Sequence, residues 1–265
     1  MTDLHVWHWT TEAVGDDVVD DLMAVLSAPE REQAGRFVQA RDRRDYVAAH
    51  ALLRHALAWL HGRPPEQWRL EPDTHGKPGV VWHDTDGPSP QVSLSHAPGL
   101  VACAVSPRAP VGVDVEPLVS DAGGRSGAVE YFAREEVDAL GRLSAEARGP
   151  RFTELWVLRE AYVKGLGLGL WGRPAPSVWF DFDGAGGLVR HGDRGCAWEF
   201  GLTAPGPGYR MAVAMPVEGA ARSWRLSVHP VVDAAVPLHW KATGQPSIDA
   251  GPALRSVTAA RPPRP

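Results

Sequence analysis

Apolar and polar positions repeat with two different periods along this chain, and the periods divide it into strands and helices. Leu4 to Thr10 alternates every second residue and predicts a strand with Leu4 and Val6 on one side. Asp16 to Leu26 repeats at helical spacing, with Val18, Leu22 and Leu26 on one face. A short basic segment, Glu30 to Phe37, follows. Asp42 to Leu60 is the strongest amphipathic helix, because Tyr46, Ala49, Leu53, Leu57 and Leu60 share a face. From Pro64 to Pro90, Pro, Gly and Asp break the pattern into turns and short strands, including Leu70–Glu71 and Val80–Trp82. Gln91–Ser95 and Leu100–Val105 read as two strands of a hairpin, with His96-Ala97-Pro98-Gly99 as its turn. Val111–Glu116 is an apolar strand, Ser120–Gly127 a flexible loop, and Arg134–Leu143 a short helix. Further strands are expected at Val178–Phe182, Ala197–Leu202, Tyr209–Met215 and Trp224–Val228. Beyond His229 the chain is rich in Pro, Ala, Ser and Arg without a period and is expected to be disordered.

The most informative helix is Phe152 to Leu170. Trp156, Glu160 and Lys164 stand at i, i+4 and i+8, on one stripe. The aromatic seeks burial, which draws both charges toward the interior or a cleft edge, where each needs a partner, a metal or a ligand. The plainer reading is an exposed Glu–Lys pair beside a core Trp. The glycine series from Gly165 to Gly169 ends the helix. A dinucleotide fingerprint links a strand to a helix start, so this G-x-G-x-G does not qualify.

The strand Val111–Glu116 carries its own chemistry. Asp114 and Glu116 point to one side and Val113 and Val115 to the other. Two carboxylates on one face of an apolar strand repel each other unless water or a cation reaches them, and a hard divalent ion with oxygen ligands suits them. An exposed pair on an edge strand is the alternative. The arginines near the Asp42 helix (Arg36, Arg41, Arg43, Arg44) are either a solvated face or an anion site at a helix start.

Composition narrows the field. The 265 residues are 44% apolar and 22% charged, an ordinary globular balance. The net charge of −5 argues against a general nucleic-acid binder. No window has the apolar length of a membrane span, and the N-terminal residues lack a signal-peptide pattern, so a cytoplasmic protein is expected. Cys103 and Cys196 lie far apart in apolar surroundings and are expected to be buried thiols. The stretches Gln91–Val105 and Trp198–Ala214 echo each other, each a strand, an Ala-Pro-Gly turn and an Ala-rich strand, as a duplicated α/β unit would.

Gly112-Val113-Asp114-Val115-Glu116, followed by Trp156-Val157-Leu158-Arg159-Glu160-Ala161-Tyr162-Val163-Lys164, resembles the paired signatures of the surfactin-type 4′-phosphopantetheinyl transferases. These are a G-[VI]-D-[VI]-E strand and a W-x-x-K-E-[AS]-x-x-K helix. Arg36-Phe37 with Asp42, the turn Gly76-Lys77-Pro78, and Ser95-His96 match upstream motifs of the family in the same order, over roughly residues 4 to 215. The resemblance implies an α+β pseudo-dimer of two similar halves, each a small antiparallel sheet with a long helix, related by a pseudo-twofold. Residues 1–108 and 109–228 form the halves, and 229–265 a tail. It implies an enzyme of the holo-acyl-carrier-protein synthase type. Coenzyme A lies between the halves, and 4′-phosphopantetheine moves to a serine of an apo acyl or peptidyl carrier protein. By resemblance, Asp114, Glu116 and Glu160 hold Mg²⁺, and Glu160, Lys164 and Asp114 are catalytic. Arg36, Arg44, Lys77, Ser95, His96 and Lys164 contact coenzyme A. Partners are coenzyme A and the carrier, with no nucleic acid or membrane, and the protein is expected to be a monomer. A silent coenzyme A- or carrier-binding protein of the same fold is the alternative. Two departures stand out. Arg159 replaces the motif lysine, keeping charge but not shape, and Gln33 stands at an often basic position. The loop-rich region 120–150 is the expected carrier-docking surface.

Overall fold

A computed structural model describes residues 3–81, 87–120, 130–168, 178–183, 188–192, 198–216 and 225–231. Strand β1 (Asp3–Thr10) leads to helices α1 (Asp16–Met23), α2 (Ala28–Ala34) and α3 (Ala40–His61). The small strands β2 (Leu70–Pro72) and β3 (Pro78–Val80) follow, then the hairpin β4 (Gln91–Ala97) and β5 (Leu100–Ser106). The second part repeats the plan with β6 (Gly112–Pro117), α4 (Arg134–Gly141), α5 (Ala145–Leu166), β7 (Trp179–Phe182), β8 (Leu188–Gly192), β9 (Trp198–Thr203) and β10 (Tyr209–Pro216). Strand β11 (Arg225–Val231) comes last.

Two sheets carry the fold, ordered β11-β1-β5-β4 and β6-β10-β9. Period-two alternation gives each sheet two apolar faces. On β5, Val101, Cys103 and Val105 join the core under α3, while Leu100, Ala102 and Ala104 face the other sheet. On β10, Ala212 and Ala214 face α5, and Met211, Val213 and Met215 meet the first sheet. The result is four layers, helix–sheet–sheet–helix, with a shared core between the halves.

The structure departs from the sequence reading in six places. The basic segment Glu30–Phe37 overlaps helix α2, which a capping box of Ser27 and Glu30 starts. α5 begins at Ala145, not Phe152: Ser144 caps it by accepting the Ala147 N–H, and Pro150 is taken in near the helix start. β4 runs through His96 to Ala97, so His96 is a strand residue and not a hairpin tip. The strand β8 had no counterpart in the sequence reading. β11 continues to Val231, past the expected start of the tail, and pairs parallel with β1 of the other half. One parallel pair therefore interrupts the antiparallel plan. Trp156 is half-buried instead of fully buried; it stacks on Phe152 and meets Tyr131 edge-on. Residues 121–127 of the expected loop, Gly169, Leu170, Cys196 and residues 232–265 lie outside the described residues. Cys103 is a buried free thiol. No helix among the described residues is long and apolar enough to cross a membrane.

Candidate active site

The site forms where β6 meets the C-terminal end of α5. Gly112 permits the approach: a Cβ there would lie 1.8 Å from the Ala161 carbonyl oxygen and 2.5 Å from the Gly165 nitrogen. With β6 pressed against α5, Asp114 reaches the last turn of that helix. Lys164 Nζ donates to Asp114 Oδ1 at 2.7 Å and to Ser95 Oγ at 2.9 Å. Ser95 Oγ donates to Asp114 Oδ1 at 2.8 Å and accepts the Val115 N–H at 3.2 Å. Asp114 is 4% exposed, and its Oδ2 is buried without a hydrogen-bond partner.

Side chains of the first half tie β6 in place. Ser93 Oγ accepts the Val113 N–H at 3.1 Å, one pleat along from Ser95. Lys77 donates to the carbonyls of Val111 at 3.1 Å and Lys164 at 2.6 Å. Lys77 was expected at a phosphate; its ammonium instead joins the end of α5 to the start of β6, and burial lowers its pKa. Two serine hydroxyls and an ammonium thus serve β6 on the side where no strand pairs with it.

Glu160 sits one turn before Lys164, half-buried. Desolvation first, then the charges of Asp114 and Glu116, raise its pKa to about 7, against the pull of Lys164 and Arg159. A carboxyl pushed toward neutrality beside two other acids is poised for proton transfer. The three acids are near enough to act on one another electrostatically. No group of three or more His, Cys, Asp or Glu side chains among the described residues is gathered closely enough to hold a metal ion, so the expected three-acid cage is not assembled. The Lys164 ammonium lies on Asp114 instead. The donor chemistry still suits a hard cation, because Asp114 Oδ2 is a buried carboxylate oxygen without a partner.

A concavity of about 280 Å³ lies in the first half, lined by Phe37, Asp42, Asp45, His96 and Pro98. His96 links it to Lys164 through charge. Its imidazole pKa is lowered first by partial desolvation and then by the Lys164 ammonium. Asp45 is held by Thr11 Oγ1 and by the Gly99 N–H at 3.0 Å, which fixes the pocket floor. Arg44 lies 4.0 Å from Asp45, with its Nε buried and without a hydrogen-bond partner. Arg36 is exposed and paired with Glu32 at 2.6 Å, and does not line the concavity.

The sequence reading left two buried ion pairs unseen. Arg159 joins Glu136 at 2.6 Å, deep in the second half and away from the cleft. Arg54 joins Glu30 at 2.6 Å in the first. The S-x-x-E box at Ser27–Glu30 was the available signal for one partner; nothing local pointed to either arginine.

The comparisons agree with this geometry. The profile of the 4′-phosphopantetheinyl transferase superfamily matches residues 110–214, and that of the 4′-phosphopantetheinyl transferase N-terminal region matches residues 13–108. The 4′-phosphopantetheinyl transferase HetI of Nostoc is 30% identical over 63% of this chain and 70% of its own. The transferase psf-1 of Bacillus pumilus is 31% identical over 57% of this chain and 62% of its own. The human L-aminoadipate-semialdehyde dehydrogenase-phosphopantetheinyl transferase is 29% identical over 56% and 51%. The matched stretch is thus between 51% and 70% of these relatives' lengths. The chain belongs to the 4′-phosphopantetheinyl transferase superfamily, in its surfactin-type branch.

Proposed function

We propose that the chain transfers 4′-phosphopantetheine from coenzyme A to a serine of an apo acyl or peptidyl carrier protein. One observation carries this reading beyond family membership. The Glu160 carboxyl, held toward neutrality to about pH 7 by burial and by the charges of Asp114 and Glu116, belongs to the place where β6 meets α5 and where Asp114 Oδ2 is buried without a hydrogen-bond partner. In the reaction the serine oxygen bonds to phosphorus, the pyrophosphate P–O bond breaks, and adenosine 3′,5′-bisphosphate leaves. Glu160 accepts the serine proton. Lys164 leaves Asp114 to meet phosphate oxygens and offsets the charge on the leaving group. His96 lines the concavity assigned to the nucleotide end, and Arg44 lies 4.0 Å from Asp45 on that lining. Asp114, Glu116 and Glu160 would hold Mg²⁺, which supplies charge neutralisation at the pyrophosphate. The chain's own residues bind, orient and move the proton.

The test is to incubate the protein with coenzyme A, Mg²⁺ and apo carriers of both kinds, and to weigh the carriers by mass spectrometry. Gain of one phosphopantetheine is expected. Coenzyme A binding with no gain on any carrier identifies a silent binding protein and overturns the reading.

A further inference from the structure

Arg54 and Arg159 occupy the same place in two helices of equal length. Each stands about two turns before the last residue of a 22-residue helix, and each is 1% exposed. Each reaches back to a glutamate near the start of the preceding short helix. Arg54 Nη2 and Nε donate to Glu30 Oε2 at 2.6 and 3.1 Å, and Arg159 Nη2 donates to Glu136 Oε2 at 2.6 Å. Both glutamates also accept an N–H at their helix start, from Ser27 at 2.7 Å and Ala133 at 2.6 Å. The remaining arm of each fork meets a carbonyl beyond its own helix, Pro65 at 3.3 Å or Val178 at 3.2 Å.

Stability alone does not account for such pairs. An apolar pair of similar volume often serves as well, because desolvating two charges offsets much of their attraction. A fork held at two points does something an apolar contact cannot: it fixes a helix's rotation. Successive helix residues differ by about 100°, so fixing Arg159 also fixes the direction of Glu160. Glu136 accepts the Phe180 N–H at 2.9 Å, so the clasp is anchored to β7 as well. The residue after Arg54 is His55, inside the core. Only one of the two clasps therefore adjoins an acid of the cleft.

We propose that Arg159 is a positioning residue: its fork, held by Glu136 and the Val178 carbonyl, sets the rotation of α5 that presents Glu160 to Asp114. Arg159 touches neither the concavity nor Asp114, so its effect passes through Glu160. The kinetic consequence rests on the proposed function; the geometric one does not.

Arg159→Met alone strands Glu136 without its counter-charge and risks unfolding, so the paired change Glu136→Gln with Arg159→Met is the main probe. In it kcat falls about 30-fold, while KM for coenzyme A stays within about twofold. Arg159→Lys, which keeps the bond to Glu136, recovers most of the rate. The matched pair Glu30→Gln with Arg54→Met loses similar thermal stability but keeps kcat. Equal kcat losses in the two pairs, or a loss confined to KM, overturn the proposal. A crystal structure of the Glu136/Arg159 variant gives a second reading. The Glu160 carboxylate is expected to have turned away from Asp114, and an unmoved carboxylate overturns the proposal. If the unaltered chain transfers nothing to any carrier, the proposed function fails, and the crystal comparison still decides the role of Arg159.

Discussion

The two halves share a scaffold and differ in what stands at the end of the long helix. Both helices have 22 residues, a buried Arg–Glu clasp and a left-handed glycine cap, Gly62 or Gly167. Superposing Arg54 on Arg159 places His55 against Glu160 and Trp59 against Lys164. In the second half Lys164 meets the Asp114 carboxylate on β6. In the first, Trp59 meets Trp7 on β1 edge-on at 5.8 Å, and His229 of β11 stacks on Trp7 at 4.7 Å. A fourth strand and three aromatic rings thus fill the place where the other half keeps a lysine and two acids. Among the described residues no strand covers β6 in this way, and the serines of β4 serve it instead. The proposed chemistry falls in the half whose described sheet has three strands.

The sharpest way to break this comparison is to move the charge. Glu160→Gln is expected to lower kcat about 10³-fold with the fold intact, whereas His55→Gln, at the matched position, costs stability only. Mass spectrometry of the carrier measures the first and thermal unfolding the second. Comparable losses of kcat would mean that the halves share the chemistry. The same variant tests the pKa of Glu160. The folded chain holds that proton to about pH 7, above the ordinary carboxyl value of 4.5, so ionisation withdraws stability as pH rises between those values. The Gln variant lacks that decline.

Gly112→Ala comes next, because its Cβ would overlap the Ala161 carbonyl. A loss of about 3 kcal/mol in denaturant unfolding is expected, with transfer lost as β6 is pushed off α5. In the first half α3 packs mainly on β5 and β4, and reaches β1 through the side chains of Trp59 and Trp7. An unchanged midpoint would show that the close approach is not needed. Smaller again are Ser93→Ala and Ser95→Ala. Each strands one buried N–H of β6, at about 1–2 kcal/mol. Only Ser95 also bonds Asp114 and Lys164, so only its loss is expected to lower the transfer rate. Equal effects on rate would reduce Ser95 to a strut between the halves.

The parts legible in the sequence were those fixed by local pattern. The amphipathic α3, the β4–β5 hairpin, the acids of β6 and the Trp156-Glu160-Lys164 stripe all follow from spacing within one element. The parts that were not legible depend on distant chain. Lys77 finds its carbonyls across the two halves, on Val111 and Lys164. Arg159 is marked in the sequence only as a departure from the motif lysine, and its partner Glu136 on another helix is not legible there; neighbours on a helix point about 100° apart, and this one turns into the core. The parallel pairing of β11 with β1 joins residues more than two hundred positions apart, which no periodicity records.

That pairing yields a prediction for low pH. His229 is 6% exposed between Trp7 and Trp59, and its Nε2 lies 3.0 Å from His5 Nδ1. Desolvation, then the neighbouring His5, lowers its pKa to about 4, and His5 is lowered by burial against the pull of Asp3. One neutral ring donates to the other, and protonating both would place two cations in contact. The unfolded chain takes up these protons near pH 6.5. Stability is therefore complete above that pH and is lost as pH falls toward 4, by about 2 kcal/mol at pH 5. Hydrogen exchange at pH 5 and pH 7.5 reads where the loss falls. Faster exchange is expected in β11 and β1 first, with β6, β10 and β9 unchanged. Uniform acceleration in both sheets would mean that the covering strand is not a separate unit, and that the first half owes its closed end to the whole fold and not to β11.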